Sequence, residues 1–248
     1  MKAWWGLLRS LFIYWRPGRQ GALRELYRPF VGPDDLVFDV GAHLGDRTAA
    51  FSALGARVVA LEPNPRLLPW LRRLVGRRPG VVIVPRAAGP STGSASLAVS
   101  PGNPTVSTLD RGWTEQIRRT NPGFRRVRWN REVEVPVTTL DELIREHGEP
   151  RFCKVDVEGF EDRVLAGLTR PLQALSFEFV AGSLEVAVAC VERLTELGEY
   201  EFNAVSGEGR RFLFSRWCSA DGAVAWLREG AGAAPSGDLY ARRVRGES

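Results

Sequence analysis

Short apolar runs alternate with amphipathic segments along the first part of this chain. After Pro33 the order is strand 36–40, helix Asp46–Leu54, strand 57–63, helix Pro65–Leu74 and strand 81–88. Strands that alternate with helices in this way form a parallel sheet with helices on both faces. The pattern therefore predicts an α/β fold.

The same alternation resumes after residues 89–131, which are rich in Ser, Gly, Pro and Arg and break the rhythm of strands and helices. An extended segment at 133–139 follows. The further strands are predicted at 152–158, 175–180, 200–205 and 239–244, and the further helices at Leu140–His147, Phe160–Leu168 and Leu184–Leu194. No internal repeat interrupts this series.

Residues 1–30 are expected to form an N-terminal amphipathic helical segment, aromatic and basic, ahead of a main domain of residues 31–248. Arg9 interrupts an apolar run that is too short to span a bilayer. Two uses of the segment remain open, which are packing over the domain as a lid and contact with a membrane surface through residues 1–19. A cytoplasmic location is predicted, with peripheral contact at the inner membrane face as the alternative.

Composition narrows the possible chemistry. The chain has 248 residues, of which 44% are hydrophobic, and this suits one α/β domain with a sizeable core. Three cysteines without a C-x-x-C pair predict reduced thiols rather than a zinc site. His43 and His147 are the two histidines, which argues against a histidine-based triad. The net charge of +5 suits an anionic partner.

A glycine-rich turn follows the first predicted strand, at the position where α/β proteins bind cofactors. Gly41 and Gly45 allow a tight turn. His43 stands where a dinucleotide fingerprint has its second glycine, which disfavours a nicotinamide dehydrogenase. Asp39 precedes the turn, and Glu62 lies near the offset of a carboxylate that binds ribose hydroxyls. These five residues are the predicted cofactor-binding residues.

Three charged residues alternate near the end of the fourth predicted strand, where ligand crevices of α/β proteins open. Asp156 is the first candidate for a general base or for a residue that orients the substrate, and Glu158 is the second. Lys154 pairs with them or holds the substrate. An ion pair that only fixes the strand end is the alternative, and His43 is a rival base. Because no third ligand has suitable spacing, no metal site is predicted.

The segment 111–131 contains seven arginines with Trp113, Phe124 and Trp129 between them. Arginine suits phosphate and carboxylate contacts, and aromatic rings stack on sugars and bases. Two interpretations remain open. The segment is either a solvated surface insertion, as runs of charge usually are, or it overhangs the acceptor pocket and recognises an anionic acceptor, such as a phosphorylated or lipid-linked saccharide. Glu178 is expected either to face the crevice or to pair with an arginine.

Four segments together resemble the FkbM-type methyltransferases of the class I S-adenosylmethionine-dependent superfamily. They are VFDVGAHLGD (37–46), VVALEPNP (58–65), VPVTTLDEL (135–143) and KVDVEGFEDRVLAG (154–167). The resemblance covers about residues 35–205 and implies a Rossmann-like sheet of seven strands with helices on both faces and an antiparallel last strand.

The resemblance also implies a cofactor, S-adenosyl-L-methionine, and a reaction. Asp39, Gly41 and Gly45 would surround its methionine part, and Glu62 would bind its ribose. The implied reaction is O-methylation of a hydroxyl on a saccharide, glycolipid or polyketide-type product. An RNA or other nucleic-acid methyltransferase that uses segment 111–131 is one alternative. A non-catalytic module that docks on a membrane or a partner is another.

Overall fold

The computed structural model describes Trp15 and residues 18–207 and 209–244. The helices are α1 (Arg19–Tyr27), α2 (Asp46–Ala53), α3 (Leu68–Leu74), α4 (Arg111–Thr120), α5 (Leu140–His147), α6 (Glu161–Ala166), α7 (Leu184–Leu197) and α8 (Ala220–Arg228). The strands are β1 (Leu36–Val40), β2 (Arg57–Leu61), β3 (Val81–Val84), β4 (Ala87–Ala88), β5 (Gly93–Val99), β6 (Arg131–Thr138), β7 (Phe152–Val155), β8 (Ala174–Val180), β9 (Tyr200–Ser206) and β10 (Ser236–Arg243).

Seven strands form one sheet in the order β3-β2-β1-β7-β8-β10-β9. The pairs from β3 to β8 are parallel, whereas β10 runs antiparallel to both β8 and β9. The predicted seven-stranded Rossmann-like sheet with an antiparallel last strand is therefore confirmed. Because β1 lies at the centre of the sheet, all five of its residues are buried.

Side chains that alternate along the strands separate two apolar cores. One core packs Phe38 and Phe177 of the sheet against α5, α6, α7 and α8. The other is largely aromatic and contains Phe152 and Tyr240 from the sheet, Tyr27 from α1 and Phe51 from α2. Helices therefore cover both faces, as the alternation predicted.

The predicted strand 81–88 is wrong in its second half, because the chain leaves the large sheet after β3. Pro85 has no backbone N–H to donate to a strand ladder, and β4 then pairs with β6 in a separate three-stranded sheet of order β4-β6-β5. Residues 89–131, where the rhythm of strands and helices breaks, contain β5 and α4. The helix predicted from Pro65 begins at Leu68, after a turn in which the Asn64 side chain accepts from the Arg66 amide.

Part of the predicted N-terminal segment packs on the domain. Leu23, Leu26 and Tyr27 of α1 are buried in the aromatic core, and the Trp15 indole N–H donates to the carbonyl of Leu44. The rest of the segment lies outside the described residues, so its separation from the domain at residue 30 stays a prediction. Among the described residues, no helix is both long and apolar enough to cross a membrane.

Candidate functional site

A crevice opens at the edge of the large sheet where β1, β2, β7 and β8 end, since carboxyl ends of parallel strands meet at one edge. It contains about 1130 Å³ of empty space, part of it open to solvent. Both predicted groups of site residues contribute to its wall, through Gly41, His43, Glu62, Asp156 and Glu158.

The glycine-rich turn lies directly against the end of β7. Gly41 has φ 84°, in the left-handed region, and a Cβ there would lie 1.8 Å from the backbone oxygen of Asp156. Only glycine therefore allows the two strand ends to approach this closely. This approach joins the predicted cofactor turn to the predicted acceptor residues.

Glu62 fixes the shape of this turn. Its Oε2 accepts a 2.8 Å hydrogen bond from the backbone N–H of His43, and its Oε1 accepts one of the same length from the backbone N–H of Asn64. Burial raises the pKa of Glu62 to about 7, although these two hydrogen bonds oppose the shift. The carboxylate thus holds the ends of β1 and β2 together while it lines the crevice.

His43 lines the crevice with a backbone φ of 54°. Burial lowers the pKa of His43 to about 4, although Asp46 and Asp156 act in the opposite direction. The imidazole is therefore neutral at pH 7.

Asp39 lies beneath the crevice rather than in its described wall. It is 1% exposed, and its Oδ2 accepts a 2.5 Å hydrogen bond from the Thr48 hydroxyl of α2. Burial raises the pKa of Asp39, whereas Lys154 on the neighbouring strand lowers it. Gly45, which begins α2, also lies outside the described wall. These two predicted residues therefore support the turn from below.

Lys154 lies within the sheet and is only 1% exposed. Its Nζ lies 2.6 Å from Asp156 Oδ2 and 3.9 Å from Asp238 Oδ1 of β10. Burial alone would lower the pKa of Lys154, but Asp156 and Asp238 outweigh burial and raise it. The side chain is therefore a permanent cation that orients the Asp156 carboxylate.

The predicted strand 152–158 ends at Val155, because the chain then turns sharply. Glu158 and Gly159 have φ values of 59° and 85°. The buried carboxylate of Glu161 accepts hydrogen bonds from the backbone N–H groups of Val157 and Gly159, at 2.9 and 3.1 Å. This turn places Asp156 and Glu158 in the crevice instead of along a strand.

Glu178 on β8 faces the crevice, which decides between the two expectations for this residue. One carboxylate oxygen each from Asp156, Glu158 and Glu178 lie within 4.8 Å of one another. The sequence offered no third ligand beside Asp156 and Glu158, since Glu178 comes from a different strand. Asp238 was also missed as a partner of Lys154, because it lies on β10, far from Lys154 in the sequence.

The insertion 89–131 contributes to the crevice with residues between Pro104 and Leu109. No arginine of 111–131 belongs to the described crevice wall, whereas Arg47 and Arg86 do. The rings of Trp113, Phe124 and Trp129 pack on one another, with centroids 5.5 to 6.3 Å apart. The aromatic residues of the insertion therefore form its own small core.

Residues 39–213 match the family described as the methyltransferase FkbM domain. The hexuronic acid methyltransferase AglP of Haloferax volcanii is 32% identical over 166 residues, which are 66% of this chain and 62% of that protein. Thus the alignment spans less than two thirds of the relative's length.

Two solved structures align over most of this chain at low similarity. The precorrin-6y C5,15-methyltransferase of Geobacter metallireducens aligns with a TM-score of 0.48 and 14% identity, over 91% of this chain and 87% of that one. The fibrillarin of Aeropyrum pernix, solved with natively bound S-adenosyl-L-methionine, aligns with a TM-score of 0.44 and 12% identity, over 86% of this chain and 68% of that one.

Proposed function

This chain belongs to the FkbM methyltransferase family, and from that premise we propose that it transfers a methyl group from S-adenosylmethionine to a hydroxyl of a saccharide. The observation that carries the proposal is one crevice that joins the Gly41–Glu62 turn to the carboxylates of Asp156 and Glu158. The similarity to a hexuronic acid methyltransferase supports a sugar acceptor.

The turn offers the hydrogen-bond acceptors that the ribose hydroxyls of the cofactor need. Each Glu62 oxygen already accepts one backbone N–H, and a carboxylate oxygen has a second lone pair for a ribose hydroxyl. In the proposal, Gly41 and His43 contact the cofactor through their backbone, while Asp39 and Gly45 hold the turn. When bound, S-adenosylmethionine supplies a methyl group that is activated on a sulfonium.

The carboxylates beyond β7 receive the acceptor. Asp156 orients the acceptor hydroxyl and takes its proton, and Lys154 fixes the Asp156 carboxylate for that purpose. Burial raises the pKa of Glu158, and the nearby Asp156 adds to this effect. Glu158 lies beside Asp156 in the crevice wall and is proposed as the second residue that orients the acceptor.

The proposed acceptor is an acidic saccharide rather than RNA. Arg47 and Arg86 place two guanidinium groups in the crevice wall, which favour an anionic ligand, although each also pairs with a carboxylate of the chain, Asp46 and Glu146 respectively. Single-stranded nucleic acid is usually bound by stacking bases on accessible rings, whereas Trp113 is 3% exposed and packs inside the insertion. The exposed arginines of that segment then form a solvated surface.

The proposal is tested by following label from methyl-labelled S-adenosylmethionine into a nucleotide-linked hexuronic acid, its neutral hexose counterpart and RNA. We expect transfer to the sugars, with the hexuronic acid preferred. Transfer to RNA alone supports the nucleic-acid alternative, and absence of transfer to every acceptor supports the docking module. Either outcome contradicts the proposal.

The residue roles are tested by replacing Asp156. Asp156→Asn should lower turnover by at least about 100-fold, the usual minimum for loss of a general base, and should leave affinity for S-adenosylhomocysteine within about threefold. The matched control is Asp221→Asn, on the exposed first turn of α8. Unchanged turnover in Asp156→Asn would remove this residue from the chemistry.

A further inference from the structure

The carboxylates of Asp156, Glu158 and Glu178 converge on one point of the crevice. One oxygen from each residue lies within 4.8 Å of the other two. Two oxygens that bind the same Mg²⁺, Mn²⁺ or Ca²⁺ ion at about 2.0–2.6 Å are at most roughly 4–5 Å apart. The three side chains therefore already have the spacing of ligands around one cation.

Glu178 supplies an independent observation. Its Oε2 is buried and accepts no hydrogen bond from any residue in the described part of the chain, although the side chain lines the crevice. A buried carboxylate oxygen that has lost water without gaining a donor is costly, above all when the group is charged. A cation bound in the crevice would provide the missing partner.

The charge balance at this point favours the same conclusion. Lys154 contacts Asp156 at 2.6 Å and Asp238 at 3.9 Å, so one buried cation faces several carboxylates. The cluster thus has an excess of negative charge that a divalent ion would neutralise.

Neighbouring groups also hold the cluster in place. Lys154 binds Asp156 through Oδ2, and Glu161 fixes the turn that carries Glu158 by accepting from two backbone amides. Ligands of metal sites are commonly oriented by such outer hydrogen bonds. Oxygen ligands alone are typical of Mg²⁺, Mn²⁺ and Ca²⁺ sites.

We propose that Asp156, Glu158 and Glu178 bind a divalent cation that holds hydroxyl oxygens of the acceptor in the crevice. The inference rests on the proposed function and deepens it, because the ion would position a sugar diol beside the cofactor turn. It also gives Glu178, which the proposed reaction otherwise leaves without a role, a direct contact with the reacting part of the site.

The test uses Mn²⁺ as the probe and the full chain after treatment with a chelator. Electron paramagnetic resonance of free Mn²⁺ should give one saturable site per chain, and Mn²⁺ should raise the melting temperature because it binds the folded state. Glu178→Gln should weaken Mn²⁺ at least about tenfold, since even loss of an outer partner costs about 10–100-fold. The matched control Glu229→Gln, exposed at the end of α8, should bind Mn²⁺ as the unaltered protein does.

A second variant, Glu158→Gln, is measured in the same way in case Glu178→Gln does not fold. Absence of saturable Mn²⁺ binding overturns the cation site, as does equal affinity in the unaltered protein and in every folded variant. Titration with S-adenosylhomocysteine separates the two proposals. If S-adenosylhomocysteine binds and Mn²⁺ does not, the cation site is overturned and the methyltransferase proposal stands. If Mn²⁺ binds and S-adenosylhomocysteine does not, the methyltransferase proposal is overturned and the cation site stands.

Discussion

Gly159 joins the turn that carries Asp156 and Glu158 to the insertion, and its replacement by alanine tests how rigidly the two are coupled. The residue has φ 85°, and a Cβ there would lie 2.2 to 2.4 Å from three ring atoms of Trp113. Trp113 is 3% exposed and is held by Phe124 and Trp129. The ring therefore has no room to retreat, and the added methyl group must displace the turn or the insertion.

The expected cost has two parts. A left-handed φ costs a residue with a Cβ about 1–2 kcal/mol, and overpacking of a filled core costs about 1–3 kcal/mol. Gly159→Ala should thus lower the free energy of unfolding by about 2–5 kcal/mol. Gly230→Ala is the matched control, because Gly230 has φ 95° and no atom within 4 Å of its added Cβ. Gly230→Ala should lower the free energy of unfolding only by the cost of the left-handed φ, about 1–2 kcal/mol.

A double-mutant cycle in urea separates the two parts. Trp113→Ala alone should cost about 3–5 kcal/mol through its cavity. In that background Gly159→Ala should cost only about 1–2 kcal/mol, which leaves a coupling of about 1–3 kcal/mol. If the two substitutions add within about 0.5 kcal/mol, as independent sites do, the contact does not hold the turn and this reasoning is refuted.

Two further predictions concern the turns around the crevice. Gly41→Ala places a Cβ 1.8 Å from the Asp156 backbone oxygen. It should lower the melting temperature and weaken the affinity for S-adenosylhomocysteine at least about tenfold, since a displaced loop amide leaves polar groups unpaired. Calorimetric values equal to those of the unaltered protein would contradict this. Burial raises the pKa of Glu161 from 4.5 to about 7, so its stabilising contribution is complete below pH 4.5 and is lost as pH rises through 7. Glu161→Gln should therefore reduce the fall in unfolding free energy between pH 5 and 8 by up to about 3 kcal/mol, and equal pH slopes in urea would exclude this titration.

The sequence predicted those parts of the fold that depend on local pattern. Buried strands such as β1 and β8 are continuous apolar runs bounded by turn residues, so their positions were predictable. The placement of Glu62 and Asp156 at one sheet edge followed from the strand order, because parallel strands share a carboxyl edge.

The rest depends on contacts between distant segments. Glu178 reaches the crevice because β8 pairs with β7, and Asp238 reaches it because β10 pairs with β8. No local pattern specifies either pairing. Likewise, the contact between Trp113 and Gly159 requires the insertion to fold back over the turn. The same fold-back explains why rings expected to stack on a ligand are instead packed on one another.

The cofactor crevice is tested most directly by isothermal titration of S-adenosylhomocysteine into the folded full chain, with Glu62→Ala as the comparison. Saturable binding to one site is predicted, weakened in Glu62→Ala by about 1–3 kcal/mol, the usual cost of unpaired polar groups. Absence of binding to the unaltered protein, or equal affinity in folded Glu62→Ala, would contradict the placement of the cofactor at Gly41 and Glu62.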